Sequence, residues 1–252
     1  MVNLKGKIAL ITGGSRGIGA ASALLLAKAG ADVAITYHKN ARAAKSVQSQ
    51  IATLGRRCLT LECNVSDRSD VRKTVRSVLG RFGRIDILVN NAGVWNYGAI
   101  GSITERQWDE TLDTNLKGTF FFTNAVVPGM KRRRCGKIIN IASTAGQRGE
   151  PFHCHYAASK GGMIAFTKSI GPELAPFNVT ANCVAPGWVD TDMSSAVLKD
   201  RRRGEEIRRS IPRGRPAMPE EIAGAVLFLA SDLSNHLVGS TISVNGGSVL
   251  SS

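Results

Sequence analysis

Hydrophobic residues in this chain form short continuous runs, separated by longer segments in which apolar residues recur at helical spacing. The short runs are apolar throughout instead of alternating with polar residues. That pattern is typical of strands covered on both faces. We predict strands at residues 7–12, 32–37, 58–63, 85–89, 136–142, 179–184 and 241–244.

The segments between these strands predict helices. We expect them at residues 20–29, 41–54, 69–82, 104–130, 157–174 and 219–230. Strands that alternate with helices predict an α/β fold, specifically a doubly wound Rossmann-type parallel sheet of about seven strands with helices on both faces.

The chain contains no internal repeat and no linker, so we predict one domain over residues 1–252. Its cofactor half is expected at about 1–140 and its catalytic and substrate half at about 141–252. Residues 188–216 are charged and Arg-rich, and we expect an irregular, mobile segment over the substrate site there.

A glycine-rich turn joins the first strand to the first helix. Glycines allow the backbone to approach a pyrophosphate, and a helix N-terminus offers free N–H groups and the positive end of its dipole. A tight turn without a ligand is the alternative. The predicted cofactor contacts in this turn are Gly13, Ser15, Arg16, Gly17, Ile18 and Gly19.

The end of the second strand bears on which dinucleotide binds. A carboxylate there would bind the 2′-hydroxyl of NAD, but the chain has Tyr37 and Lys39, and Asp32 lies at the opposite end of the strand. Arg16 and Lys39 could both reach a 2′-phosphate. We therefore favour NADP(H) over NAD(H); the alternative is that both cations are merely solvated.

A candidate acid–base pair lies after the fifth strand. Tyr156 and Lys160 are four residues apart and share one face of a predicted helix. A neighbouring ammonium would lower the pKa of a phenol toward working pH, where proton transfer is useful. Ser143, at the strand end, would offer a hydroxyl to the same oxygen. Taken alone, the pair is weak evidence and is more often an ordinary surface Tyr and Lys on an amphipathic helix.

These candidates share a position in the predicted sheet. In an open parallel sheet the ligand site lies at the carboxyl ends of the strands. Five separate groups of candidate residues fall there, at 13–19, 37–39, 90–93, 143 and 186–187. Their agreement is stronger evidence than any single motif.

In these motifs, and in their order, the chain resembles the classical short-chain dehydrogenases/reductases over residues 5–247. The motifs are Thr12-Gly13-x-x-x-Gly17-x-Gly19, Asn90-Asn91-Ala92-Gly93, Asn115, Ser143, Tyr156-x-x-x-Lys160 and Pro186-Gly187. The resemblance implies hydride transfer between a nicotinamide and a carbonyl or alcohol carbon.

The resemblance also implies a role for each catalytic residue. Tyr156 would exchange a proton with the substrate oxygen, and Ser143 would hydrogen-bond that oxygen. Lys160 would hold the nicotinamide ribose and lower the Tyr156 pKa. Asn115 would hold a water that links Lys160 to solvent, although an Asn that only satisfies helix backbone is the alternative.

Further cofactor contacts follow from the same resemblance. The dinucleotide would contact Asn64, Val65, Asn91, Ala92, Gly93, Pro186, Gly187, Val189 and Thr191, besides Tyr156 and Lys160. The family usually has Asp at position 64, where it meets the adenine amino group. Asn64 keeps an acceptor oxygen, which leaves the strength of adenine binding open.

Within the family, the sequence around 187–193 and the Asn245-Gly246-Gly247 ending look most like 3-oxoacyl-[acyl-carrier-protein] reductases of fatty acid biosynthesis. Acyl carrier protein is acidic, so the net charge of +14 and the cluster at 131–134 would suit docking. Phe177 stands where such reductases commonly carry a second docking Arg. The alternative substrate is a free alcohol or ketone of sugar, polyol, steroid or quinone type. The family implies a homotetramer.

Composition excludes several classes. No apolar run approaches the ~18 residues that would span a membrane, and we expect no signal peptide because the N-terminus leads directly into a predicted strand. Five scattered cysteines favour a reducing cytoplasm, and no metal site is predicted. A non-catalytic nucleotide sensor or nucleic-acid-binding protein is a remote alternative, since the basic clusters lack interleaved aromatic residues.

Overall fold

The fold is built on a seven-stranded parallel sheet with the order β3-β2-β1-β4-β5-β6-β7. The computed structural model describes residues 2–250. Its strands are β1 Ile8–Ile11, β2 Asp32–Tyr37, β3 Cys58–Glu62, β4 Ile87–Asn90, β5 Gly136–Ile141, β6 Val179–Pro186 and β7 Thr241–Val244. The chain reverses its direction of winding between β1 and β4, which is where doubly wound sheets bind their ligands.

Helices cover both faces of the sheet. They are α1 Gly17–Lys28, α2 Ala41–Thr53, α3 Arg68–Phe82, α4 Glu105–Leu112, α5 Gly118–Arg133, α6 Thr144–Arg148, α7 Cys154–Leu174, α8 Ser195–Lys199, α9 Arg201–Ser210 and α10 Pro219–Ala230. A π-helical turn, Asp113–Lys117, joins α4 to α5. The predicted single-domain Rossmann-type architecture is confirmed.

Alternate residues of one strand enter different hydrophobic cores. Ala9 and Ile11 pack with α1, α2 and α10, whereas Ile8 and Leu10 pack with α3 and α5 on the opposite face. Both faces are therefore buried, which explains the continuous apolar runs. Full burial of the Phe122 side chain on the second face contributes about 1.5–3 kcal/mol.

Local capping fixes where several helices begin. The Asp67 carboxylate accepts hydrogen bonds from the backbone N–H groups of Ser69 and Asp70 at the start of α3. Thr104 and Gln107 form a capping box at the start of α4. These caps satisfy N–H groups that the first helical turn leaves without partners.

The prediction of an irregular segment at 188–216 is wrong. The segment contains α8 and α9, and Val189 pairs with Ala217 in an isolated β-bridge. Asp200 caps α9 by accepting the Arg203 N–H, and ion pairs such as Arg202 with Glu206 lie along the helix. The Arg-rich run is therefore the solvated face of a short helix stabilised by i,i+4 pairs.

Candidate active site

One cavity of about 840 Å³ opens along the carboxyl ends of the strands. Every predicted cofactor contact except Gly19 lines it, as do the catalytic candidates Ser143, Tyr156 and Lys160. Gly19 lies beneath the turn, and Asn115 is buried behind the cavity wall. The five groups of strand-end candidates therefore do converge in space.

The glycine turn has the shape that a pyrophosphate cradle requires. Gly13 and Gly17 have positive φ angles of 62° and 52°, which side chains rarely adopt. A Cβ at Gly19 would collide with the Gly13 carbonyl and lie 2.5 Å from Asn91 Nδ2. Arg16 precedes α1 without a side-chain cap, so the free N–H groups of this helix face the cavity. The residues present fit a dinucleotide.

Cations line the cavity at the end of β2. Lys39 is exposed, and Arg16 lies nearby with its guanidinium 3.5 Å from the Asp192 carboxylate. Both side chains of this pair are largely exposed, so the contact is weak and leaves Arg16 available to another anion. Asn64 Oδ1 accepts hydrogen bonds from the Ser66 N–H and hydroxyl, so the acceptor predicted for adenine already has partners within the chain.

The loop after β4 is tied to the glycine turn. The Thr12 hydroxyl accepts the N–H groups of Asn91 and Ala92, and Asn91 Nδ2 donates to the carbonyls of Thr12 and Gly13. Asn91 thus acts chiefly as a structural clamp that holds two cavity-lining segments together.

Asn115 is fully buried in the π-helical turn. Its side chain accepts the Val94 N–H at 2.8 Å and donates to the Val94 carbonyl and to Ser159 Oγ at 3.0 Å. The Asn115 carbonyl accepts the Thr119 hydroxyl. Asn115 therefore fixes the loop after β4 against α7; its predicted role in holding a water stays a prediction.

Ser143 ends β5 and caps α6. Its oxygen accepts the Ala145 N–H at 3.1 Å, and its hydroxyl proton can still be donated on the cavity side, where the Tyr156 phenol lies. The short helix α6 packs closely on α7, because a Cβ at Gly146 would lie 2.5 Å from the Lys160 backbone carbon. Gly146 therefore sets the distance between Ser143 and the helix that carries Tyr156.

Tyr156 and Lys160 share one face of α7, as predicted. Lys160 Nζ lies 5.7 Å from the centre of the Tyr156 ring and donates a hydrogen bond to the Ile141 carbonyl at 2.6 Å. This contact fixes the ammonium at the end of β5, beside Ser143. The phenol, the ammonium and the serine hydroxyl therefore form one compact group.

The predicted lowering of the Tyr156 pKa is wrong. Burial raises the pKa of Tyr156 to about 12, and the Glu150 carboxylate adds to this rise, whereas hydrogen bonding with Ser143 opposes it. Burial also lowers the pKa of Lys160 to about 8. Desolvation is the largest cause of both shifts, so Tyr156 is a neutral phenol at pH 7 and can donate a proton.

Aromatic side chains and one carboxylate form the far side of the cavity. We call Trp95, Glu150, Trp188 and Met193 the substrate wall. Trp95 donates its indole N–H to Glu150 Oε1 at 3.1 Å and meets Trp188 edge-on at 5.6 Å. The neighbouring Phe152, His153 and His155 do not line the cavity.

Three functional residues escaped the sequence analysis. Gly146 is a contact between helices, Asp192 is an ion-pair partner of Arg16, and Glu150 reaches the cavity from a turn before α7. The Gly and the Asp carry no recognisable local signal. Glu150 lies six residues before Tyr156, but its burial and its contact with Trp95 become visible only in the folded chain.

The described residues offer neither a membrane-spanning helix nor a metal-binding cluster. Across residues 2–250, no helix has the length and apolar character needed to cross a bilayer. The same residues contain no group of three or more His, Cys, Asp or Glu side chains placed to hold a metal ion.

Comparisons with known proteins agree with this geometry. A family model described as "Enoyl-(Acyl carrier protein) reductase" matches residues 13–249. The chain is 40% identical to the 3-oxoacyl-[acyl-carrier-protein] reductase FabG of Staphylococcus aureus strain Mu50, over 96% of this chain and 97% of that protein. It is 39% identical to the 3-oxoacyl-[acyl-carrier-protein] reductase of Synechocystis, over 99% and 100%.

A solved structure is also similar to this chain. The short-chain type dehydrogenase/reductase from Mycobacterium marinum superposes with a TM-score of 0.93 at 35% identity, covering 99% of this chain and 98% of that one. Fold, site and relatives agree, and this chain belongs to the short-chain dehydrogenase/reductase family of oxidoreductases.

Proposed function

We propose that this protein is an NADPH-dependent ketoreductase that reduces a 3-oxoacyl thioester to the 3-hydroxyacyl product. The observation that carries the proposal is the compact group of Ser143, Tyr156 and Lys160 at the wall of a cavity whose opposite end fits a dinucleotide. The names of the relatives at 39–40% identity over nearly the full chain support the thioester substrate.

The chain's own residues account for the proton in this reaction. A bound dihydronicotinamide would supply the hydride. Ser143 would donate its hydroxyl proton in a hydrogen bond to the ketone oxygen and orient it, and the neutral Tyr156 phenol would transfer its proton to that oxygen. Lys160 would stabilise the resulting phenolate by its charge.

Preference for NADPH over NADH is part of the proposal. It is supported by Arg16 and Lys39 at the cavity edge and by the lack of a carboxylate at the end of β2. An acidic group there would repel a 2′-phosphate, whereas the two cations would bind it.

An acidic carrier protein is the proposed partner for the acyl group, supported by the +14 net charge. The basic cluster at 131–134 is a weaker docking candidate than the sequence suggests. Lys131 pairs with Glu173 and contacts the Phe177 ring, and Arg133 donates to the Ile85 carbonyl. These contacts hold α5 within the fold. We also propose a cytoplasmic homotetramer, as the family resemblance implies.

The direct test follows nicotinamide absorbance with acetoacetyl-coenzyme A as substrate and either NADPH or NADH as donor. We expect turnover with NADPH and much less with NADH. Crotonyl-coenzyme A serves as the matched control, because it carries a double bond in place of the ketone. Activity with crotonyl-coenzyme A alone would contradict ketone reduction.

A second candidate function is reduction of a free ketone or oxidation of a free alcohol. The observation that favours it is the Glu150 carboxylate in the substrate wall, which can accept a hydrogen bond from a hydroxyl of such a substrate. A panel of hydroxyketones and polyols separates the two, and turnover of that panel without any thioester turnover would favour the second function.

A further inference from the structure

Glu150 occupies an unusual position for an acidic side chain. It lines the same cavity as Tyr156, and only 21% of its side chain is exposed. Burying a carboxylate is costly unless hydrogen bonds or charges compensate it. Burial raises the pKa of Glu150, while the charges of His153 and Arg148 and the hydrogen bond from Trp95 oppose that rise.

The contacts of Glu150 use only part of its hydrogen-bonding capacity. Oε1 accepts the Trp95 indole N–H at 3.1 Å and lies 3.7 Å from His153 Nδ1. His153 Nδ1 is 3.1 Å from the Pro151 carbonyl, which can only accept, so that nitrogen carries a proton directed at Pro151. Within residues 2–250, Oε2 receives no hydrogen bond, although a carboxylate can accept about four.

The surrounding structure holds Glu150 in place. Trp95 stacks on His153 with ring centres 4.4 Å apart and planes 5° from parallel. Phe152 has a positive φ of 64°, a conformation that is uncommon for a bulky residue and clusters at functional sites. Its carbonyl accepts the Gly98 N–H, which joins the turn of Glu150 to the loop of Trp95. The two segments therefore present the carboxylate as one rigid unit.

We propose that Glu150 is a specificity-determining residue, whose free carboxylate oxygen accepts a hydrogen bond from a hydroxyl or amide N–H that the substrate carries near its reacting ketone. The inference rests on the proposed function only in that the site reduces a ketone. A thioester of a pantetheine-like arm supplies an amide N–H, and a hydroxyketone supplies a hydroxyl. When a substrate that lacks such a hydrogen-bond donor binds, Oε2 of Glu150 is left without a partner. The site therefore binds such a substrate less well than one that carries the donor.

Two matched substrate pairs test the proposal with the full chain and NADPH. The thioester pair is acetoacetyl-N-acetylcysteamine, which has the amide N–H, and S-ethyl acetothioacetate, which lacks it. The free-ketone pair is 4-hydroxy-2-butanone and 2-pentanone. The readout is the ratio of kcat/KM between the two members of each pair, for wild type, Glu150→Gln, Glu150→Leu and the exposed control Glu220→Leu.

We expect wild type to favour the donor-bearing member of at least one pair. Glu150→Leu should reduce that ratio about 10–100-fold, as loss of a hydrogen bond to a charged group would, with most of the change in KM. Glu150→Gln should restore much of the ratio because it keeps an acceptor oxygen. Glu220→Leu should leave the ratio at the wild-type value.

Three results would overturn the inference. They are an equal fall for both members of a pair in Glu150→Leu, a wild-type enzyme without preference, and an absence of turnover with both donor-bearing compounds. Turnover of the hydroxyketone with a Glu150-dependent ratio, but of neither thioester, would instead contradict the proposed function and leave this inference standing. Thermal unfolding and NADPH binding of each variant identify a change that is merely structural.

Discussion

The cofactor side of the cavity and the substrate wall differ in the contacts that hold them in place. The cofactor side consists largely of backbone and small residues at strand ends, such as Gly13, Gly17 and Ala92. The substrate wall consists of large side chains from three loops, held by stacking and by a single indole hydrogen bond. Strand ends are fixed by the sheet, whereas the loops hold one another. Variation in substrate is therefore possible without any change in the cofactor site.

The largest expected effect comes from Tyr156, where the cofactor side of the cavity meets the substrate wall. Tyr156→Phe removes the proton donor, and we expect kcat to fall about 10²–10⁴-fold because general acid catalysis contributes that much. NADPH binding, measured by nicotinamide fluorescence, should persist, since the phenyl ring preserves packing. Retention of most of the turnover would remove Tyr156 from the mechanism.

Burial of the Lys160 ammonium should lower the free energy of unfolding by a measurable amount. Its pKa falls from 10.5 to about 8 on folding, so the folded state binds fewer protons than the unfolded state between these values. The contribution of Lys160 to the free energy of unfolding should therefore rise with pH through that window, by about 2–3 kcal/mol between pH 7 and 10. In Lys160→Met this rise should be missing.

The difference in free energy of unfolding between Lys160→Met and wild type, from urea titrations at pH 7, 8, 9 and 10, checks this prediction. The free energy of unfolding of Lys160→Met minus that of wild type should fall as pH rises. A constant difference across the four pH values would mean that Lys160 is not desolvated.

On the cofactor side, we expect Arg16→Ala combined with Lys39→Ala to raise the Kd for NADPH about 10–100-fold, as loss of charged hydrogen bonds to a phosphate would. The Kd for NADH should change little. Lys45→Ala is the matched control, because Lys45 is an exposed cation on α2 that does not line the cavity. Equal changes for both dinucleotides would contradict recognition of the 2′-phosphate.

The smallest expected effect is in the substrate wall. Trp95→Phe removes the indole N–H from Glu150 but keeps an aromatic ring against His153. We expect kcat/KM for a donor-bearing ketone to change only about two- to tenfold, because the lost hydrogen bond positions Glu150 and does not itself contact the substrate, so only part of its about 1.5–3 kcal/mol affects the reaction. Steady-state kinetics with unchanged NADPH affinity would confirm that the two sides of the cavity are energetically separate.

The sequence predicts the cofactor side well because its signals are local. The apolar run of β1, the glycines after it and the start of α1 are consecutive, so spacing alone indicates their geometry. Continuous apolar strands likewise predict a parallel sheet. The exact ends of β4 and β6 differ from prediction by a few residues, since strand ends depend on pairing with neighbours.

The sequence predicts the substrate wall poorly because its contacts are not local. Trp95 and Glu150 are 55 residues apart and meet only in the folded chain. The prediction of a lowered Tyr156 pKa is wrong for the same reason, since i,i+4 spacing reveals the nearby ammonium but not the extent of burial. The helices of 188–216 were missed because a run of Arg resembles a solvated loop until its Glu partners are counted.

The π-helical turn Asp113–Lys117 has a consequence for how this chain can vary. Such a turn accommodates one residue more than a regular α-helix. Deleting one residue from it would produce a continuous helix from α4 through α5. Since each helical residue turns the chain by about 100°, the same deletion would rotate α4 away from α7 and withdraw Asn115 from Val94 and Ser159. The most regular helix is therefore incompatible with this site, and length variation should be confined to other parts of the chain.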